Sequence, residues 1–343
     1  MRSAHKEFDI SIPYQPLAVG MMPLETRHEA ILHLALTADE LGYDAVFLAE
    51  TWSHDITVLL AEIAVRTNQL RLGSGILSVW GRSAATLAMA ASTLNMISEG
   101  RFILGLGSST AQMAEGFHDT SYTAPYRKLR TTITQVRALM AGERVPLTST
   151  PEARPLRLNL PALSDLPIYL AASAPKSIRI AGELCDGWIP FLFPRDRLAD
   201  GLGLLEEGAD QASTPGKEWQ VCPVIPTIVA NDSATARKGA AWVIAFYLTT
   251  MGPIYRNVLN RYGHQAEVAA VLEANQGRKP SVVPSEAEVL LDQLTLYGTG
   301  DEVREKLAQW YAVGATMPAL MTNPHLELDQ ISFVLNAFQP QAG

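Results

Sequence analysis

Cysteine is scarce in this chain. The two present, Cys185 and Cys222, sit among apolar or small neighbours. They are too few for a disulfide framework or a four-ligand zinc site, and they read as small core residues in a reducing compartment. HExxH, paired CxxC, P-loop and GxSxG signatures are all missing. Metalloprotease, zinc, NTPase and α/β-hydrolase chemistries therefore have no support, and no metal site is expected. Positive charge is short as well: 27 lysines and arginines against 35 acids give a formal net charge of −8. Wholesale nucleic-acid binding needs a basic face and is not expected. No apolar run approaches the length that crosses a bilayer, and MRSAHKEFDISIPYQPLAVG at the start lacks the apolar stretch of a signal peptide. A soluble, cytoplasmic protein with no membrane partner is the expectation.

What the chain does have is apolar sequence, 48% of residues against 18% charged, enough for a large buried core. It is arranged in eight short runs: 17–23, 44–50, 70–77, 101–107, 167–173, 186–193, 220–230 and 317–323. Helical spacing separates them. Between the first two, for example, apolar residues fall at 31, 34, 35, 38 and 41 before Gly42 stops the helix. Nearly all of the runs are apolar throughout rather than alternating, as in strands covered on both faces of a parallel sheet. Eight such βα units spell a (β/α)8 TIM barrel, with a doubly wound open sheet as the alternative. Residues 1–343 read as one domain with insertions at about 143–166 and 251–300. The second insertion carries helical spacing and is expected to pack over one mouth of the barrel.

Ligands of parallel barrels bind where the strands end and the following loops converge. FLAETWSHD, residues 47–55, leaves the second strand there and gathers an acid, an indole and an imidazole in Glu50, Trp52 and His54. Such a cluster suits proton handling and stacking on a flat ligand, while His54 or Asp55 would serve equally to cap the next helix. Two glycines in LGSGIL (72–77) imply a bent or closely approached strand. LGLGSST (104–110) imitates a dinucleotide fingerprint but lacks its third glycine and the later acid, so that reading is discarded. LAASAPKSI (170–178) sets small residues and Pro175 at a helix start, a candidate anion cradle of backbone N–H groups and the Ser173 hydroxyl.

Taken in order, GYDAVFLAE, LRLGSGIL, TLNMISEGRFILGLGSS and PIYLAASAPKSIRIAGELCDGWI resemble the luciferase-like flavin and deazaflavin oxidoreductases. Within them the closest likeness is to the branch using coenzyme F-420. The resemblance is clear over residues 17–193 and looser toward the C-terminus. It implies a non-prolyl cis peptide at Gly75–Ile76, a bulge backing the deazaflavin ring. It also implies that Ser108 and Ser109 line the cofactor cleft, and that the backbone of Ala172, Ser173 and Ala174 meets the cofactor's polar tail and phosphate. Glu50 falls where relatives put an acid beside the ring. The sequence departs from the pattern at Thr51, where many relatives have histidine, and at Ser109, where glycine is common. The implied activity is hydride transfer between the cofactor's C5 and a small organic substrate, with Glu50, Trp52 and His54 forming the wall opposite the bulge. An FMN-dependent monooxygenase and a non-catalytic flavin-binding barrel are the rival readings, and a homodimer is implied by analogy. Trp80, Phe117, Tyr122 and Trp188 suggest an uncharged, partly apolar substrate whose pocket is built by loops 111–124 and 251–300. Arg278 and Lys279 read as a solvated pair or as contacts to an acidic tail.

Overall fold

A computed structural model of the chain describes residues 14–340. Residues 1–13, which hold most of the leader stretch and the start of the proposed domain, and residues 341–343 lie outside the described residues. The strands are β1 (Ala18–Met21), β2 (Ala45–Leu48), β3 (Arg71–Ser74), β4 (Leu77–Ser78), β5 (Phe102–Gly107), β6 (Ile168–Ala171), β7 (Gly187–Ile189), β8 (Gln220–Val221), β9 (Val224–Val229), β10 (Leu296–Gly298) and β11 (Ala319–Thr322). Every pairing between them is parallel.

Two interruptions, with β10 standing outside the ring, reduce these eleven pieces to eight barrel positions. β3 and β4 are one strand broken by a bulge at 75–76, and both halves pair with β5. β8 and β9 flank Pro223. The first pairs β7 through Gly187↔Gln220, and the second pairs β11 through Ala319↔Val224. Because β11 pairs in turn with β1 through Ala18↔Ala319, the sheet closes. Closure rules out the open-sheet alternative. β10, inside the 251–300 insertion, is a strand the apolar pattern does not reveal: it has three residues and pairs only the far end of β9.

The uniformly apolar runs follow from this closure. Ala18, Ala45, Phe47, Ile103, Tyr169, Ile189 and Ala319 pack together inside the cylinder. Their neighbours along the strands, Val19, Val46, Leu72, Leu104 and Leu170 among them, point outward under the helices. Both faces are dry, and each fully buried side chain of this size contributes about 1.5–3 kcal/mol.

The helices are α1 (His28–Glu40), α2 (Ile56–Arg66), α3 (Ala84–Ile97), α4 (Ala111–Gly116), α5 (Pro125–Met140), α6 (Pro175–Leu184), α7 (Leu198–Gln211), α8 (Ser233–Thr250), α9 (Ile254–Arg261), α10 (Gln265–Ala274), α11 (Glu288–Leu294), α12 (Gly300–Ala312) and α13 (Leu328–Ala337). Asp55, Ser83 and Asp232 cap α2, α3 and α8 by accepting first-turn N–H bonds, which fixes where each helix leaves its loop. Segment 143–166 has no helix or strand. It runs back along α5, with the Gln135 amide donating to the Pro146 carbonyl (2.9 Å). Among the described residues no helix is long and apolar enough to cross a membrane.

Candidate active site

The glycines of the third and fourth barrel strands make room for main chain and rings. A Cβ on Gly73 would lie 2.2 Å from the Phe47 ring, and one on Gly105 would lie 1.8 Å from the Ser74 carbonyl oxygen. Those approaches, rather than a phosphate, account for the LGLG pattern. They also seat the bulge. The Gly75–Ile76 peptide bond is cis, with the Gly75 N–H donating to the Leu48 carbonyl (2.6 Å) and the Glu50 N–H to the Ile76 carbonyl (3.3 Å). From the other side, the Ser74 hydroxyl donates to the Gly105 carbonyl and accepts from its N–H, both at 2.8 Å.

Above this bulge, at the C-terminal ends of the strands, opens a cleft of about 420 Å³. That volume suits a ligand the size of a drug or cofactor. Gly75, Ile76, Gly107, Ala171 and Ala172 form a floor with little side-chain bulk, and Glu50, Thr51 and Trp52 form one wall. Ser108, Ser109, Ser173 and Ala174 also line it. Nine of the ten residues singled out from the sequence thus meet at one cavity. The exception is His54. Its Nε2 bonds the Thr26 carbonyl (3.1 Å), and the ring borders a separate small pocket beneath the β1 loop. Asp55 next to it caps α2, so the helix-capping alternative describes this end of the cluster.

Glu50 does not stand free. Arg82, beyond β4, donates to both carboxylate oxygens (2.6 and 3.4 Å) and also pairs with Asp55 at 2.7 Å. Arg82 is driven further toward its charged form, chiefly by the Glu50 hydrogen bond. Burial would raise the Asp55 carboxyl, but hydrogen bonds from Thr57 and Arg82 outweigh it and hold Asp55 below its ordinary value. Arg82 was not picked out from the sequence. Its signal was an arginine just past a strand exit, opposite two acids that had no cation of their own.

The remaining rim comes from the loops. Met113 and Tyr122 line the cleft from 111–124; Met251, Ile254, Tyr255, Val258 and Arg261 line it from the second insertion, so α9 lies over the mouth. The Arg261 guanidinium donates to the Ser173 carbonyl (3.4 Å) and is a cation beside that loop, whereas Arg278 and Lys279 are exposed and away from the cleft. Of the four aromatics expected near substrate, only Tyr122 lines the cleft. Trp188 is fully buried with its indole N–H on the Ala172 carbonyl (2.8 Å), Phe117 faces solvent, and Trp80 packs behind Tyr122 with ring centroids 5.2 Å apart. Cys185 and Cys222 are buried free thiols, and among the described residues no cluster of metal-ligating side chains occurs.

Residues 8–317 match the family model described as luciferase-like monooxygenase. A protein of Mycobacterium tuberculosis provisionally named a coenzyme F-420-dependent oxidoreductase is 32% identical over 309 residues, covering 83% of this chain and 88% of that one. Among solved structures, the coenzyme F-420-dependent tetrahydromethanopterin reductase of Methanopyrus kandleri superposes with a TM-score of 0.75 at 20% identity, over 95% of this chain and 98% of that one. The oxygenating constituent of 3,6-diketocamphane monooxygenase from Pseudomonas putida, solved with FMN, superposes with a TM-score of 0.67 at 18% identity, over 96% and 97%. The match to the family model spans most of the chain: this protein is an oxidoreductase-class enzyme belonging to the luciferase-like monooxygenase family.

Proposed function

We propose that the protein is a coenzyme F-420-dependent oxidoreductase that passes a hydride between the cofactor and a small, uncharged organic substrate. The observation that carries this reading is the floor of small residues, Gly75, Gly107, Ala171 and Ala172 around Ile76, in a chain whose 32%-identical relative is named for that cofactor. The residues present fit a planar ring. A side chain on Gly107 would crowd Ile76 at 2.9 Å, and the buried Thr51 hydroxyl in the wall has no partner among the described residues. It is available to an edge polar group of the ring. When bound, the deazaflavin supplies a hydride donor or acceptor at C5.

The chain's own contribution is positioning and exclusion of water. Gly75 and Ile76 support one ring face. Glu50, fixed by Arg82, presents an oriented carboxylate to the ring edge or substrate, and Trp52 closes the rim. The backbone of Ala172–Ala174 receives the polar tail. There α6 begins with Pro175 and no side-chain cap on its first N–H groups, and Arg261 adds a positive charge. His54, turned toward Thr26, orders the loop instead of meeting substrate. FMN is the second reading, favoured by the FMN-bound structural relative.

We read residues 14–340 as one barrel domain and the assembly as a homodimer. Adjacent helices α2 and α3 expose Val58, Val65, Met89 and Met96, each pair seven residues apart on one helix face. The free thiols fit a reducing cytoplasm. The test is titration with F-420 and with FMN, followed by fluorescence quenching. Micromolar F-420 binding with weak FMN binding supports the reading, and the reverse order replaces it with the FMN enzyme. Light scattering of the protein in solution checks the dimer.

A further inference from the structure

One part of the cleft has no task in that account. Phe191 follows β7, the sixth barrel position, and so stands across the mouth from Glu50 and Trp52 after the second. Its ring is met edge-on by two tyrosines, Tyr247 near the end of α8 (4.9 Å between centroids) and Tyr255 in α9 (5.4 Å). The two tyrosine rings are themselves 5.3 Å apart and perpendicular. Such edge-to-face triads hold their members in fixed orientations. Both tyrosines line the cleft, and no hydrogen bond ties either hydroxyl to another described residue. The surroundings are apolar: Met251, Ile254 and Val224 border the same wall.

We propose that Tyr247 and Tyr255 form a two-donor clamp for the oxygen of a neutral carbonyl compound or its alcohol, and so define the substrate class of the cleft. This rests on the reading of the cleft as an oxidoreductase site and deepens it. Burial holds both phenols far above their ordinary pKa. They are neutral O–H donors across the physiological range, suited to a carbonyl oxygen and unable to balance a charge. An oxygen acceptor entering from the cleft meets two donors that no described residue engages, and the aromatic triad packs the carbon skeleton. An alkyl ligand of equal shape leaves both hydroxyls unmet, so the clamp discriminates by the oxygen rather than by volume.

The test uses two probes of nearly identical shape, cyclohexanone and methylenecyclohexane, titrated by ligand-observed NMR into the full chain without cofactor. Wild type is compared with Tyr247→Phe, Tyr255→Phe and the double variant, with near-UV circular dichroism as the check on folding. Loss of two neutral hydrogen bonds is expected to raise the cyclohexanone Kd about tenfold in the double variant and about threefold in each single variant. The methylenecyclohexane Kd should change less than twofold. The single variants decide the matter if the double variant does not fold. Parallel changes for both probes, no change for either, or no binding of cyclohexanone to wild type would overturn the clamp. F-420 titration of the same proteins reads the cofactor separately: quenching should be preserved in every variant. Its failure in wild type would sink the cofactor reading while leaving the probe result intact.

Discussion

Arg82 offers the sharpest mutational test of how the candidate site is held. Its side chain is 16% exposed and that of Glu50 12%, whereas Asp55 is half exposed. Changing Arg82→Met removes the cation and keeps most of the apolar stem. Glu50 is then left as an unpaired, nearly buried carboxylate at the cleft. Breaking a buried pair by deleting one partner costs about 3–5 kcal/mol. Residual exposure here, and the wet side of Asp55, reduce the expectation to about 2–3 kcal/mol. Glu50→Gln alone should cost less, about 1 kcal/mol, because Arg82 keeps Asp55 and the amide oxygen still accepts one bond. In the double variant no unpaired carboxylate remains at position 50, so the total should fall short of the sum by about 1–2 kcal/mol. Reversible urea unfolding of wild type, both single variants and the double variant supplies the cycle, with constant m-values as the check that the unfolded state is unchanged. Additivity within about 0.5 kcal/mol would mean the pair is not coupled, and the description of Glu50 as an arginine-fixed carboxylate would be wrong.

Three further expectations follow from particular contacts. Glu25 receives bonds from the Arg27 guanidinium (2.7 and 3.0 Å), the Arg27 N–H (2.9 Å) and the His325 N–H (2.8 Å), tying the loop after β1 to the loop after β11. Burial would raise its carboxyl, but these bonds prevail and hold it at about 2 against an ordinary 4.5. A depressed carboxylate pKa stabilises the fold above the unfolded value and ceases to do so as pH falls through the folded one. Wild type should therefore exceed Glu25→Gln in stability at pH 7, the gap closing between about pH 4.5 and 2 in acid-unfolding curves. Gly107→Val should leave the fold intact by displacing the flexible end of Ile76, yet weaken F-420 binding at least tenfold by filling the floor, as read by fluorescence titration. Burial raises the Cys185 thiol to about 12 and pushes Cys222 up as well. Neither should react with a thiol reagent in the native protein, and both should react on addition of denaturant.

The barrel was legible because closure buries both faces of each strand, leaving eight largely apolar runs. Its two irregular strands were legible only in part. The glycines of LGSGIL and the prolines of QVCPVIPTIVA mark a break, but whether a break bends a strand or ends it depends on neighbours, here Phe47 beside Gly73 and β7 and β11 on either side of Pro223. β10 is not legible because its three residues carry no period. At the site, positions fixed by main chain were readable: Gly75, Ile76, Ser108 and Ala172 to Ala174 stand at strand ends, where the fold alone sets their place. Side-chain direction was not. His54 lies four residues beyond Glu50 yet turns to Thr26, and Trp188, on β7 itself, points outward under α7, where a Cβ on Gly201 would meet its ring at 2.1 Å. Arg261 and the two tyrosines reach the cleft, and Arg82 reaches Glu50, from segments far away in sequence, and only the folded chain brings them there.

The most direct measurement is a crystal structure of the protein soaked with F-420. The tricyclic ring is expected against Gly75–Ile76 with its polar tail at Ala172–Ala174 and Arg261. Side chains filling that floor, with the ring bound elsewhere or not at all at saturating cofactor, would contradict it.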